Sequence, residues 1–141
     1  IGQGFTLIMD DSRNPPDAVA MLRDILRHTG GFDVLPPSQF TAGSVLTSTS
    51  PAFIAMFVNS LADAGVYNGL LRPQARRYAM EGVLSTVKLL MASDKHFEQL
   101  KDEVCSPSGP AIIGVKSLED SGFRSSIINA VIDAYKRFAE M

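Results

Sequence analysis

Residues 46–66 read LTSTSPAFIAMFVNSLADAGV, and this apolar stretch decides the fold. Its hydroxyl residues precede a proline, and that order is typical of a helix N-cap followed by a first-turn proline. We therefore predict a helix from Ser50–Pro51 to about Tyr67. Phe53 lies on one side of this helix and Ile54 on the other, so the helix is apolar all round and must be buried all round. In a small domain, this indicates burial against a second chain, as an obligate dimer.

The segments around this helix divide the chain into two parts. The first part, residues 1–36, is predicted to form a strand (Phe5–Met9), a helix that starts at Pro16 and is ended by Gly30-Gly31, and a strand (Phe32–Leu35). Two strands are too few for an independent sheet. From residue 37 to residue 141 only helical patterns follow, and after residue 67 they begin at Pro73, Phe97, Pro110 and Phe123.

Composition excludes several classes of function. The 141 residues are 45% apolar and 20% charged with a net charge of −2, which is typical of a globular domain. No basic cluster is longer than Arg76-Arg77, which argues against a nucleic-acid groove. The longest apolar run, Pro51–Val58, is far shorter than the ~20 residues of a membrane span, so we expect a soluble protein. Cys105 is the single cysteine, which favours a reducing, cytoplasmic setting, and no metal site is expected.

Two loops are candidates for binding a small molecule. Thr49, Ser50 and Pro51 open the predicted apolar helix, and free N–H groups at a helix N-terminus stabilise anions. Simple capping by Ser50 is an equal alternative. The loop reading CSPSGPA, residues 105–111, has Ser108 or Gly109 as the expected cap and two stiffening prolines, which suit a carboxylate. An ordinary turn would look similar, so these patterns alone leave the function open.

The order of the segments resembles that of the pyrroline-5-carboxylate reductases. Residues 46–66 are similar to that family's Ser/Gly-rich turn, Pro-Ala-aromatic and Ala-Asp-Ala-Gly-Val pattern. Residues 100–109, LKDEVCSPSG, resemble its Leu-Lys/Arg-Asp-x-Val-Cys-Ser-Pro-Gly-Gly segment. Residues 118–124, LEDSGFR, followed by residues 128–131, INAV, resemble its last helix. The resemblance covers residues 46–141, with a weaker similarity of layout over residues 1–40.

This resemblance implies a mainly α fold, a helical dimerisation domain of the 6-phosphogluconate dehydrogenase C-terminal-like type after a remnant of a Rossmann sheet. It further implies a homodimer, in some members a ring of dimers, that transfers hydride from NADPH or NADH to the C=N carbon of pyrroline-5-carboxylate and yields proline. The nucleotide would be bound mainly by an upstream domain, since Gly2-Gln3-Gly4 precedes a strand and does not open a helix. The substrate-binding residues implied are Ser106, Pro107, Ser108, Gly109, Pro110 and Ala111, and those near the cofactor are Thr49, Ser50 and Pro51.

The candidate substrate loop departs from the family pattern at two positions. Ala111 stands where the family has a threonine whose hydroxyl meets the ring nitrogen, so no catalytic residue is assigned. Pro110 lacks an N–H and removes one donor for a carboxylate. Two alternatives therefore stay open: a non-catalytic dimerisation or ligand-sensing paralogue, and a reductase of a different cyclic imine.

Overall fold

The computed structural model describes residues 1–140, which form two compact units. One unit contains Ile1–Pro51 together with the end of the chain from Asn129, and the other contains Ala52–Ile128. In chain order the elements of the described residues are β1 (Gly4–Met9), α1 (Pro16–Leu26), β2 (Gly30–Leu35), α2 (Pro37–Tyr67), α3 (Arg72–Met91), α4 (Phe97–Val104), α5 (Pro110–Asp120) and α6 (Phe123–Ala139).

The strand, helix, strand order predicted for the start of the chain is confirmed. β1 and β2 pair in parallel, with Gly4 opposite Gly30 and Met9 opposite Leu35. The predicted role of Gly30-Gly31 is wrong, because α1 ends at Leu26 and the two glycines begin β2. A Cβ on Gly30 would overlap the Gly4 carbonyl oxygen, and its φ of 135° is one that other residues rarely adopt, so the strand pairing requires glycine here.

The predicted start of α2 at Ser50–Pro51 is wrong. α2 begins at Pro37 and runs for 31 residues, with Pro51 inside it. Pro36-Pro37 supplies the first-turn proline, and the N–H groups of Gln39 and Phe40 donate to the Pro36 carbonyl. Pro51 removes one backbone hydrogen bond from the helix, which continues through it. The hydroxyls of Thr47, Thr49 and Ser50 before it donate to backbone carbonyls one turn back in the same helix.

The second unit is held together by small side chains between α2 and α3. Ala62 of α2 is buried with Ala75 and Ala79 of α3, and Val58 and Val66 pack against them. The later helices begin where they were predicted at Phe97, Pro110 and Phe123, and α3 begins one residue early at Arg72. α5 extends to Asp120 rather than Leu118, and the predicted end of α6 at residue 141 lies outside the described residues.

α2 exposes much of its apolar surface in the single chain. Ile54 is 51% exposed and Met56 is 71% exposed, so the described residues 1–140 leave at least half of each of these side chains uncovered. Within residues 1–140, α2 alone is long and apolar enough to cross a membrane by length and composition, with a mean hydropathy of 1.4 in its most apolar window. Another protein surface that covers α2 would account for the same exposure.

Candidate functional site

The segment between α4 and α5 is a tight turn built on Pro107. The Gly109 N–H donates to the Ser106 carbonyl at 3.0 Å, which closes a four-residue β-turn. Ser108, the third residue of the turn, has a φ of 57°. A proline at the second position with a positive φ at the third is the signature of a type II turn, in which glycine is the usual third residue. The turn therefore contains a residue in a conformation that costs about 1–2 kcal/mol for a non-glycine side chain.

Gly109 is the residue that precedes α5. Its backbone is extended, with φ −74° and ψ 166°, and no side chain caps the helix, so of the two expected caps Gly109 occupies the position and Ser108 does not. A Cβ on Gly109 would overlap the Ser106 hydroxyl and lie 3.2 Å from the Ser106 carbonyl oxygen. The φ of Gly109 is ordinary, so glycine is favoured here by the tight space beside Ser106 and not by its backbone conformation.

The first turn of α5 presents two N–H groups beside this loop. Pro110 opens the helix and has no N–H, and within residues 1–140 no backbone carbonyl accepts a hydrogen bond from the N–H of Ala111 or Ile112. Ser106 and Ser108 are exposed next to them. Unpaired N–H groups at the positive end of a helix dipole are suited to bind an anionic group such as a carboxylate.

An apolar cavity of about 340 Å³ adjoins the same loop. Cys105 and Ala111 line it from the loop side, and Phe97, Leu100 and Val104 line it from α4. Cys105 is a free, half-buried thiol, and among the described residues no three His, Cys, Asp or Glu side chains lie close enough together to hold a metal ion. The loop therefore combines polar N–H groups with an adjoining apolar wall, which is the usual composition of a small-molecule site.

The other candidate segment lies in the first compact unit, inside α2. The Thr47 hydroxyl donates to the Gly43 carbonyl at 2.9 Å, the Thr49 hydroxyl donates to the Val45 carbonyl at 2.8 Å, and the Ser50 hydroxyl donates to the Leu46 carbonyl. Thr49 and Ser50 are half-buried and Pro51 is exposed. The prediction of an anion site at a helix start is wrong for these residues, because their position is in the middle of a continuous helix.

Sequence reasoning missed a cluster of charged side chains in the second unit. Arg124 of α6 donates from Nη1 and Nη2 to the two carboxylate oxygens of Glu98, at 2.8 and 3.2 Å, and from Nε to Glu119 at 2.6 Å. Lys101 donates to Glu98 at 2.8 Å. The hydrogen bonds from Arg124 and then Lys101 lower the pKa of Glu98 from 4.5 to about 2. No sequence pattern pairs residues 26 positions apart, so only the fold identifies this cluster.

Known proteins are similar to this chain over most or all of its length. The family model "pyrroline-5-carboxylate reductase dimerisation" matches residues 37–141. The chain is 38% identical over 141 residues to the pyrroline-5-carboxylate reductase of Synechocystis, covering 100% of the chain and 53% of that protein. It is 32% identical over 131 residues to the Escherichia coli pyrroline-5-carboxylate reductase, covering 93% of the chain and 49% of that protein. The chain thus spans about half the length of the curated relatives it matches.

Solved structures give the same result. A crystal structure of Plasmodium falciparum pyrroline carboxylate reductase with NADP bound has a TM-score of 0.92 and 27% identity, covering 97% of the chain and 54% of that structure. The 1-pyrroline-5-carboxylate reductase of Streptococcus pyogenes has a TM-score of 0.94 and 26% identity, covering 99% of the chain and 54% of that structure. The expected fold class is therefore confirmed, and the chain belongs to the pyrroline-5-carboxylate reductase family, of which residues 37–141 are the dimerisation region.

Proposed function

We propose that this chain is the C-terminal portion of a pyrroline-5-carboxylate reductase, an enzyme that reduces the C=N bond of 1-pyrroline-5-carboxylate to give L-proline. The observation that carries the proposal is the family match over residues 37–141, which includes the complete turn Ser106–Gly109 and the start of α5. We also propose residues 1–36 as the end of a nucleotide-binding domain, supported by their parallel β1–α1–β2 arrangement.

The loop residues Ser106 to Ala111 would bind the substrate. The N–H groups of Ala111 and Ile112 would hold its carboxylate, because they lie at the positive end of the α5 dipole. The exposed hydroxyls of Ser106 and Ser108 add donors beside them, while Pro107 and Gly109 fix the turn. The apolar cavity lined by Cys105 and Ala111 would take the carbon side of the ring and exclude water from it.

The cofactor that we propose is NADPH or NADH, which supplies a hydride when bound. The P. falciparum structure is described with NADP bound. Thr49, Ser50 and Pro51 would lie near it, but they do not fit phosphate groups, because their hydroxyl protons are donated within α2 and their backbone is in mid-helix. We therefore propose a contact with an uncharged part of the cofactor there and assign its main binding to a region outside this chain.

The partner that we propose for α2 is a second copy of the protein. The family model that matches residues 37–141 is that of a dimerisation region. In addition, Ile54 is half exposed and Met56 is strongly exposed on α2, and a second copy would cover these apolar side chains. We propose a homodimer of cytoplasmic protein, with rings of dimers as a further level of assembly. Cys105 is the single cysteine of the sequence, so no disulfide can form within the chain, which agrees with that location.

The test uses the full-length protein with NADPH or NADH and a panel of cyclic imines. We expect NAD(P)H oxidation with pyrroline-5-carboxylate and not with 1-pyrroline, the matched ring without a carboxylate. Product analysis should identify proline. If neither cofactor is oxidised with pyrroline-5-carboxylate, the proposal of a proline-forming reductase is wrong.

Two alternatives are kept because Pro110 and Ala111 depart from the family pattern. Without a hydroxyl at residue 111, one hydrogen bond to the ring nitrogen is missing, which weakens preference for one particular imine. Faster turnover of another cyclic imine carboxylate in the same panel would favour a reductase of that imine. Binding of proline or pyrroline-5-carboxylate without any NAD(P)H oxidation would favour a ligand-sensing paralogue.

A further inference from the structure

Arg124 joins two helices at the ends that lie opposite the candidate substrate loop. Glu98 is the second residue of α4 and Glu119 is the next-to-last residue of α5, and one guanidinium binds both. The other ends of the same two helices are joined by residues 105–109. α4 and α5 are therefore connected by the loop at one end and by the ion pairs of Arg124 at the other.

We propose that Arg124 is a positioning residue for substrate binding, which sets the separation and orientation of α4 and α5 and thereby the geometry of the loop 105–111. The identity of the substrate in this proposal rests on the proposed function. α4 has 8 residues and α5 has 11. At about 1.5 Å per residue, the ion pairs of Arg124 are separated from the loop by a helix length of about 12–16 Å. A small change in the angle between such helices moves the N–H groups of Ala111 and Ile112 relative to the turn at Ser106–Gly109.

The chemistry of the cluster requires arginine. Three donors of Arg124 serve two carboxylates at once, with two of them bidentate on Glu98. A lysine ammonium keeps the charge but cannot supply this planar fork. Lys101 already neutralises one oxygen of Glu98 from within α4, at 2.8 Å, so the particular contribution of Arg124 is the link between helices.

The expected effect is on geometry more than on stability. Arg124, Glu98 and Glu119 are 51%, 43% and 45% exposed, and exposed ion pairs contribute little to the free energy of unfolding. Misplacement of a binding group by a fraction of an ångström, in contrast, changes substrate affinity strongly. The two effects can therefore be separated by measurement.

The experiment compares Arg124→Lys, Glu98→Gln and the double variant in the full-length protein, with Arg137→Lys as the control. Arg137 also lies on α6 and forms an exposed ion pair, but with Glu140, which directly follows the end of the same helix. We expect Arg124→Lys to raise KM for pyrroline-5-carboxylate roughly three- to tenfold, with KM for NAD(P)H and the melting temperature unchanged. The double variant should have a KM for pyrroline-5-carboxylate no higher than that of the more impaired single variant, because both substitutions disrupt the same interaction between Arg124 and Glu98.

Amide hydrogen exchange of residues 105–112 in the same variants separates this inference from the proposed function. Faster exchange confined to this loop and the flanking ends of α4 and α5 supports the positioning role, including in a protein that shows no reductase activity. Unchanged loop exchange with an unchanged KM for the imine overturns it. A parallel rise in both KM values with a lower melting temperature also overturns it, because that result is expected of a general structural role.

Discussion

Gly43 of α2 lies directly against Leu35 at the end of β2: a Cβ added to Gly43 would come within 2.5 Å of Leu35 Cδ1 and 3.2 Å of Leu7 Cδ1. The helix therefore packs on the two-stranded sheet at a position with no side chain. This close approach places the beginning of α2 against the sheet, and Val45, two residues later, is buried.

Gly43→Val is expected to lower the free energy of unfolding by roughly 1–3 kcal/mol, because two leucines must move to accommodate it. Urea denaturation measures the change. The matched control is Gly82→Val in α3. Apart from the backbone of its own helix, an added Cβ there meets no described atom within 4 Å, and valine is a slightly better helix former than glycine. A loss at Gly82 equal to that at Gly43 would contradict the packing explanation.

Ser108→Gly is expected to stabilise the protein by up to about 1 kcal/mol, because it relieves the positive φ at the third turn position. The gain is limited by the larger entropy of glycine in the unfolded chain. Ser106→Gly, the same substitution two residues earlier, lacks that relief and should destabilise. Thermal melting of both variants gives the test, and a lower melting temperature for Ser108→Gly would exclude strain at this residue.

The stability difference between wild type and Glu98→Gln is expected to depend on pH. The pKa of Glu98 falls from 4.5 to about 2 in the folded chain, chiefly through the hydrogen bond from Arg124. A carboxyl with a lowered folded-state pKa stabilises the fold above about 4.5, and that contribution is lost as pH falls from about 4.5 to about 2. The gap between urea midpoints should thus be larger at pH 7 than at pH 3. Arg124→Gln should reduce this pH dependence to the smaller part that the Lys101 hydrogen bond supplies, and an equal gap between wild type and Glu98→Gln at both pH values would disprove the coupling.

Ala111→Thr is expected to raise kcat/KM for pyrroline-5-carboxylate about two- to tenfold, because a restored hydroxyl contributes one hydrogen bond of ~0.5–1.5 kcal/mol to the ring nitrogen. Ala111 lines the cavity of about 340 Å³, which leaves room for the larger side chain. Ala111→Val, of nearly the same shape without a hydroxyl, is the control. Equal rates for the threonine and valine variants would show that the hydroxyl has no part in turnover.

Met56→Asp is expected to weaken the proposed dimer by at least roughly tenfold, because it places a charge on the apolar surface of α2. Analytical ultracentrifugation of the full-length protein gives the dissociation constant. The control is Met21→Asp in α1, since Met21 is 66% exposed but lies outside the matched dimerisation region. A stable wild-type monomer at micromolar concentration would contradict the dimer itself.

The later helices could be predicted from sequence because their signals are local. Phe97, Pro110 and Phe123 begin helices as predicted, since each follows turn-forming residues and opens a helical pattern. The loop at residues 105–111 was recognised for the same reason. The start of α2 was mistaken because Pro37 and Pro51 give the same first-turn signal, and the local sequence does not distinguish them.

The sequence by itself determined the family, the order of elements and the turn chemistry of Ser106–Gly109, because composition, periodicity and short motifs are properties of neighbouring residues. Tertiary structure alone decided the rest. Packing of Gly43 against Leu35 and burial of Val45 hold the segment before Pro51 in α2, and the fold brings Arg124 to Glu98 across 26 positions. Such contacts depend on which surfaces meet, and no local pattern specifies that.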